Sequence, residues 1–214
     1  MNESAQGTGE RLNQFVAEAG MAALDAAAVQ QFESFVSLFI RWSARINLTS
    51  VRDEEGILRR HLLESIACAR ALPAGIATLL DFGSGGGFPG IPIAICRPEI
   101  SVTLAESQGK KAAFLQEAVR ILGKAVHVHA GRAETFQAPV DCVVLRAVDR
   151  MEEAVRTAAG MLLPGGWLAL MTTHSDLLRL HAAAGPRFVW TDPLSLRGSE
   201  SRILSLGAKL NSAA

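Results

Sequence analysis

The residues best suited to chemistry are two acids and the glycine loop between them. Asp81 follows a short apolar run, and four glycines come after it within positions 83–87. Glycine permits positive φ and lets a ligand approach bare backbone. The run Ile76 to Leu80 predicts a buried strand, and the apolar residues after Pro89 predict a helix. This succession of strand, loop and helix indicates the first unit of a nucleotide-type α/β fold.

The loop sequence separates three kinds of ligand site. A P-loop ends in Gly-Lys-Ser/Thr, but Phe88 and Pro89 follow Gly87, so a P-loop is excluded. The dinucleotide fingerprint fits loosely. Asp-x-Gly-x-Gly-x-Gly, residues 81–87, resembles the first motif of class I S-adenosylmethionine-dependent methyltransferases. The alternative is a turn without a ligand. The resemblance implies contacts to the cofactor's methionine portion from Asp81, Gly83, Ser84, Gly85, Gly87 and Phe88.

The second acid is Glu106, which follows a predicted strand from Ser101 to Ala105. An acid about twenty residues beyond a glycine loop, at a strand's carboxyl end, can accept hydrogen bonds from ribose hydroxyls. Alone, such a glutamate would be an ordinary surface residue, but after this loop the ribose role is favoured. We therefore predict a nucleoside-cofactor site.

Composition limits the other possibilities. The 214 residues include 21 basic and 21 acidic side chains, so the net charge of zero gives no support to a nucleic-acid binder. No apolar run is long enough to span a bilayer, and the polar start is unlike a signal peptide. Cys68, Cys96 and Cys142 lie unpaired in apolar stretches, which favours reduced thiols in a cytoplasmic protein without a metal site. We also expect a monomer.

The order of elements predicts the fold class. Residues 1–75 have helical periodicity, with outward Arg59, Arg60 and His61 on a third helix, and form a predicted N-terminal helical extension. Residues 76–214 alternate strands and helices and end in two strands. We predict a class I methyltransferase (Rossmann-like) α/β domain there. Its sheet is mostly parallel and seven-stranded, with a C-terminal antiparallel hairpin.

The strands of this domain are predicted at 76–80, 101–105, 125–128, 141–145, 167–171, 187–190 and 202–206. The sequence also predicts a tight turn at Pro164-Gly165-Gly166 and a following helix capped by Ser175.

Several segments resemble the GidB/RsmG family of small-subunit ribosomal RNA guanine-N7 methyltransferases. They occur in family order and cover roughly residues 40–170: Trp42 with 46–49, 60–66, 81–92, 104–107 with Lys110, Lys111, Phe114 and Leu115, 131–134 and 145–148. The resemblance implies Gly83, Phe88, Ala133, Glu134 and Arg146 around the cofactor. Ala133 and Glu134 would lie near the adenine, and Arg146 near the methionine end or the incoming base. An ordinary strand-end arginine paired to an acid such as Asp149 is the alternative for Arg146.

The chain departs from the family pattern at two positions. Glu64 replaces the family's usual aspartate and keeps the charge. Met171-Thr172 stands where the fifth strand of the family commonly ends in lysine and glycine. This second departure predicts that a cation near the site is missing, with weaker RNA affinity as the main consequence.

The resemblance implies methyl transfer from S-adenosylmethionine to guanine N7, which already has a lone pair and needs no general base. Positioning then does the catalytic work. The substrate would be small-subunit rRNA or the assembled subunit, with a flipped or unpaired guanine. The candidate RNA surface comprises Arg52, Arg59, Arg60, His61, Lys110, Lys111 and Arg150, beside Arg146. Otherwise these would be ordinary solvated cations.

Two other functions fit the same fold. One is a small-molecule methyltransferase, and the other is a module that binds the cofactor without catalysis. A dehydrogenase is a more distant alternative.

Overall fold

One sheet carries the carboxyl ends of the strands to a common edge. The structure is a computed structural model that describes residues 7–51, 53–123, 126–196 and 201–211. Its strands are β1 (Thr78–Phe82), β2 (Ser101–Ala105), β3 (Val126–His129), β4 (Val140–Arg146), β5 (Leu162–Thr173), β6 (Phe188–Trp190), β7 (Leu194–Ser195) and β8 (Arg202–Lys209).

The strand order across the described residues is β3-β2-β1-β4-β5-β8-β6, and β7 pairs with β8 outside this path. The first five strands are parallel, while β8 is antiparallel to β5, β6 and β7. The predicted mostly parallel sheet with an antiparallel end is confirmed. The two-residue strand β7 was not predicted.

The strand β1 begins and ends two residues later than predicted. Asp81 and Phe82 continue the parallel ladder, paired with Leu104 and Ala105 on one side and with Val144 and Leu145 on the other. An acid can lie inside this buried ladder because the amide of Gly90 donates a hydrogen bond to its carboxylate.

The N-terminal helices are α1 (Thr8–Glu18), α2 (Ala26–Ser43), α3 (Glu54–Gly56), a π-helical segment (Ile57–Leu63) and α4 (Glu64–Ala71). The sequence predicts one regular helix over the last three. The prediction of a regular helix is therefore wrong over the π-helical segment. A change in the register of the backbone hydrogen bonds hardly alters the spacing of the apolar residues, so the sequence does not reveal it. Such segments often occur at functional sites, and this one carries Arg60 and His61.

An aromatic cluster connects the N-terminal helices to the glycine loop. The rings of Phe35 and Phe39 lie 5.5 and 5.3 Å from the ring of Phe88. Both also contact Phe114, which is fully buried. These contacts place the phenylalanines of α2 in the hydrophobic core. The division into 1–75 and 76–214 stays a prediction, and the two parts share this hydrophobic cluster.

The remaining helices are α5 (Gly90–Cys96), α6 (Gly109–Leu122), α7 (Met151–Met161) and α8 (Leu177–Ala184). Residues 133–135 form a 3-10 turn. The helix α6 ends at Gly123, which is left-handed. In the described part of the chain, no helix combines the length and apolar character that crossing a membrane requires.

Two local predictions in this half are wrong. The Ser175 side chain hydrogen-bonds Thr173 rather than capping α8, which begins later, at Leu177. Pro164-Gly165-Gly166 lies within β5, where a register shift against β4 and the left-handed Gly165 accommodate the irregularity.

Candidate active site

A cavity of about 640 Å³ opens where β1, β2 and β4 end. The carboxyl ends of parallel strands commonly form such ligand crevices. Most of the predicted cofactor-binding residues are in its wall: Gly83, Ser84, Gly85, Phe88, Glu106, Ala133, Glu134 and Arg146. Asp81 and Gly87 are not.

The glycine loop turns through three left-handed residues, Gly83, Gly85 and Gly87. At Gly87 a Cβ atom would lie 2.6 Å from Cδ1 of Ile91. Gly87 therefore allows the loop to pack onto α5 and does not line the cavity. Its predicted contact with the cofactor stays a prediction.

Asp81 also supports the loop from beneath. It is not in the cavity wall, and its predicted contact with the cofactor stays a prediction. Its side chain is buried and accepts a hydrogen bond from Gly90 N at 3.0 Å. Its backbone carbonyl accepts another from the Ser84 hydroxyl at 3.1 Å. Burial raises the pKa of Asp81 to about 7.

Glu106 fastens the loop to the end of β2. Its carboxylate accepts hydrogen bonds from Gly85 N at 2.9 Å and from Gln108 N at 2.7 Å. The residue is buried yet lies in the cavity wall. Each carboxylate oxygen has capacity for a second bond, so the predicted ribose contact remains chemically open and stays a prediction.

Arg146 forms a buried ion pair with Glu64. Their side chains are 7% and 1% exposed, and Arg146 Nη2 lies 2.9 Å from Glu64 Oε2. The partner is Glu64 of α4 rather than Asp149. The alternative of a strand-end arginine paired to an acid is therefore borne out with a different acid, and the cofactor role of Arg146 stays a prediction. Burial lowers the pKa of Arg146 to about 10, an effect that Glu64 opposes. Burial likewise raises the pKa of Glu64, and Arg146 opposes that shift.

The other terminal nitrogen of Arg146 is unusual. Its Nη1 is buried and has no hydrogen-bond partner among the described residues, whereas Nη2 also contacts the carbonyl of Arg60 and the ring of His61. An unsatisfied buried donor is costly. Its place in the cavity wall therefore marks it as a candidate ligand contact.

His61 lies inside the site, and its predicted outward position is wrong. Its ring stacks on Phe88 at 4.9 Å, and its nitrogens contact Thr49 and Arg146. Burial lowers the pKa of His61 to about 3, with the positive charge of Arg146 as the next cause. The ring is therefore neutral at physiological pH.

The pKa shifts of His61 and Asp81 predict opposite pH dependences of stability. Below pH 6.5 the unfolded chain protonates His61 but the folded protein does not until about pH 3, so this contribution to stability falls as pH falls. Between about pH 4 and 7 the folded protein binds the extra proton at Asp81, so that contribution falls as pH rises. In urea unfolding, we expect His61→Gln to gain stability relative to wild type by about 1 kcal/mol for each pH unit lowered below 6.5.

Asp81→Asn is the matched control, because it removes a shift of opposite sign and keeps an acceptor for Gly90 N. Its stability relative to wild type should rise with pH over the same range. Parallel pH profiles of the free energy of unfolding in all three proteins would contradict both assignments.

The predicted RNA-binding cations divide into two groups. Arg60, Lys111 and Arg150 are in the cavity wall with His61. Lys110 is exposed outside it. Arg59 is also outside the wall, with its guanidinium over Phe15 and paired to Glu55, and its RNA contact stays a prediction. Arg52 lies outside the described residues.

A cation missed by the sequence reasoning completes the wall. Arg202, the first residue of β8, lines the cavity with its Nε 3.6 Å from Glu64 Oε2. It pairs in register with Thr173, next to the Met171-Thr172 position. The prediction of a missing cation is therefore wrong, because a neighbouring strand supplies one. Only the antiparallel register of β5 and β8 could have revealed this.

Cys142 is fully buried in β4, and all three cysteines are free thiols. Among the residues that the structure describes, no group of three or more His, Cys, Asp or Glu side chains is arranged to hold a metal ion.

The chain is similar to known proteins over most of its length. A family model named GidB and described as rRNA small subunit methyltransferase G matches residues 28–184. The "Ribosomal RNA small subunit methyltransferase G" of Xanthomonas euvesicatoria pv. vesicatoria (strain 85-10) is 39% identical over 188 residues, covering 83% of this chain and 84% of that protein. The protein of the same name from Roseiflexus sp. (strain RS-1) is 35% identical over 204 residues, covering 87% and 86%.

Solved structures share the fold at lower sequence identity. Cofactor-bound Rv0187 from MTB superposes with a TM-score of 0.64 at 17% identity, covering 93% of this chain and 96% of that one. P. horikoshii TYW2 in complex with MeSAdo gives 0.56 at 16% identity, covering 70% and 62%. These likenesses concern the fold, which is that of class I methyltransferases.

Proposed function

Because the chain belongs to the rRNA small subunit methyltransferase G family, we propose that it methylates N7 of a guanine in small-subunit ribosomal RNA. The chain is an S-adenosylmethionine-dependent methyltransferase. The observation that carries the proposal is the single cavity wall shared by the glycine loop, Glu106 and the buried cation Arg146.

The donors and acceptors of this wall suit S-adenosylmethionine, which supplies a methyl group on a positively charged sulfur. Glu106 offers acceptor capacity for ribose hydroxyls, and Ala133 with Glu134 offers an apolar contact and an acceptor for the adenine. The unpartnered Arg146 Nη1 supports this fit, because a carboxylate or base oxygen would satisfy it.

The side chains suit a reaction driven by positioning. Guanine N7 attacks with its own lone pair, so no side chain has to remove a proton. His61 supports this, because a ring with a pKa of about 3 is a poor base at neutral pH. Phe88, held by Phe35 and Phe39, supplies an apolar surface in the cavity wall against which a base can be positioned.

The first test is methyl transfer from labelled S-adenosylmethionine to small ribosomal subunits that lack the modification. We expect label at guanine N7 with the wild type and its loss in Arg146→Ala and in a Gly85 variant. Gly109→Ala is a matched control, since an added Cβ there has nothing within 4 Å. Cofactor binding without label on subunits or on free RNA would refute the proposal.

The cations of the wall predict a salt-dependent RNA affinity. Lys111→Gln and Arg202→Gln should each weaken RNA binding and lower the slope of log affinity against log salt by about 1 if each contacts a phosphate. Lys110→Gln, outside the wall, is the control with an expected smaller change. Equal slopes for all variants in filter-binding titrations would contradict phosphate contacts at the wall.

A small-molecule methyltransferase of the same fold is the second candidate, and RNA-independent transfer to a small acceptor would favour it. The labelling assay, run on naked RNA and on assembled subunits, determines which of the two is the substrate. We further propose a monomer that works in the cytoplasm with reduced thiols.

A further inference from the structure

Thr49 presents a hydroxyl in the cavity wall, between the N-terminal helices and the glycine loop. Its Oγ1 accepts a hydrogen bond from Val51 N at 3.1 Å. The same oxygen lies 2.7 Å from His61 Nε2. Either atom can be the donor in that second contact, so the state of His61 decides where the hydroxyl hydrogen points.

The contact between His61 and Arg146 determines this direction. His61 Nδ1 lies 3.1 Å from Arg146 Nη2. Nη2 has two hydrogens and also contacts the Arg60 carbonyl and Glu64 Oε2, so it shares them among three acceptors. A guanidinium nitrogen can only donate, so its contact with His61 favours the neutral tautomer in which Nδ1 accepts and Nε2 carries the hydrogen. In that tautomer His61 Nε2 donates to Thr49.

Thr49 Oγ1 thus accepts two hydrogen bonds, and its own hydrogen has no acceptor among the described residues. A second free donor, Arg146 Nη1, is in the same cavity wall. Two unused donors on one wall complement a ligand that presents acceptor oxygens.

We propose that Thr49 is a specificity-determining residue whose hydroxyl donates a hydrogen bond to an acceptor oxygen of the substrate nucleotide. This inference rests on the proposed function. The acceptor is either O6 of the guanine or a phosphate oxygen. On its N7 side guanine presents two acceptors, whereas adenine presents an amino donor in place of O6. Contact with O6 would therefore favour guanine over adenine.

The first experiment measures the tautomer of His61 in the free enzyme. ¹⁵N NMR of the ring nitrogens, assigned with His61→Gln, should give a protonated Nε2 and an unprotonated Nδ1. A protonated Nδ1 would make Thr49 the donor to His61, leave no free hydroxyl hydrogen and overturn the inference. This readout does not depend on methyl transfer.

The second experiment compares Thr49→Val with Thr49→Ser in the subunit-labelling assay. Valine removes the hydroxyl at nearly the same volume, and serine keeps it. We expect kcat/KM for RNA to fall about tenfold with valine and to stay within about twofold with serine, while cofactor affinity changes little. Equal activity of Thr49→Val and wild type, or an equal loss in both variants, would overturn the inference.

Modified RNA separates the two acceptors. Replacing the target guanine with 2-aminopurine removes O6, and a methylphosphonate removes a phosphate oxygen. One of these modifications removes the oxygen that Thr49 contacts. With that RNA, Thr49→Val should cause no further loss of activity, because the hydrogen bond is already absent. Full additivity with both would overturn the inference. If wild type labels no RNA at all, the proposed function fails and this inference with it, while the NMR result still reports the His61 tautomer independently.

Discussion

Arg146→Ala should abolish methyl transfer and destabilise the fold. Among the described residues, the substitution leaves the buried Glu64 carboxylate with Arg202, 3.6 Å away, as its ion-pair partner. Removing one partner of a buried ion pair costs about 3 to 5 kcal/mol, and we expect about 3 because Arg202 compensates in part. We expect kcat/KM to fall at least about 100-fold, since a preorganised charge is lost from the site. Urea unfolding and subunit labelling measure the two effects.

Arg146→Lys separates the two contributions. Lysine keeps a positive charge for Glu64 but lacks the planar fork and the second terminal nitrogen. We expect most of the stability to return and most of the activity to remain lost. A fully active lysine variant would mean that Arg146 supplies only charge, and a fully active alanine variant would remove it from the site.

Gly90→Ala should have the largest effect of any single methyl group in the glycine loop region. An added Cβ would lie 2.3 Å from Cδ2 of Leu104 and 2.5 Å from Oδ2 of Asp81, and both side chains are buried. Overpacking of this kind costs about 1 to 3 kcal/mol, and displacement of Asp81 would also break its bond to Gly90 N. We expect a loss of about 3 kcal/mol and at least about tenfold weaker cofactor binding.

Gly109→Ala is the control, because its Cβ meets nothing within 4 Å and its position starts a regular helix. Its free energy of unfolding should stay within about 0.5 kcal/mol of wild type. Equal unfolding midpoints for Gly90→Ala and Gly109→Ala would show that the loop has room, contrary to the structure.

The local sequence was sufficient to predict the strands that carry the loop and the second acid. Short apolar runs bounded by turn residues identify β1, β2 and β4 within a few residues. The spacing between the glycines and Glu106 predicts that Glu106 lies close to the glycine loop. These features are local, or follow from the rule that parallel strands end at one edge.

Other features of the site depend on packing between distant segments. The contact of Arg146 with Glu64 joins β4 to α4. The periodicity of neither element predicts this contact. The inward position of His61 follows from the π-helical segment, which a regular helical repeat does not predict. The sequence identifies Asp81 as an acid at the end of a strand. It does not reveal that the amide of Gly90 donates a hydrogen bond to its carboxylate.

The position of β8 has a consequence for the order in which the protein can assemble. The strand follows β6 and β7 along the chain but lies between β5 and β6 in the sheet. During synthesis, β5 therefore keeps an unpaired edge with the apolar Leu168 and Leu170 until β8 emerges. Such edges favour pairing with other chains. Arg202 is the first residue of β8. Until β8 is synthesised, the nascent chain therefore has both an unpaired strand edge and a cavity wall without Arg202. Insertion of β8 pairs the edge and completes the wall in one step.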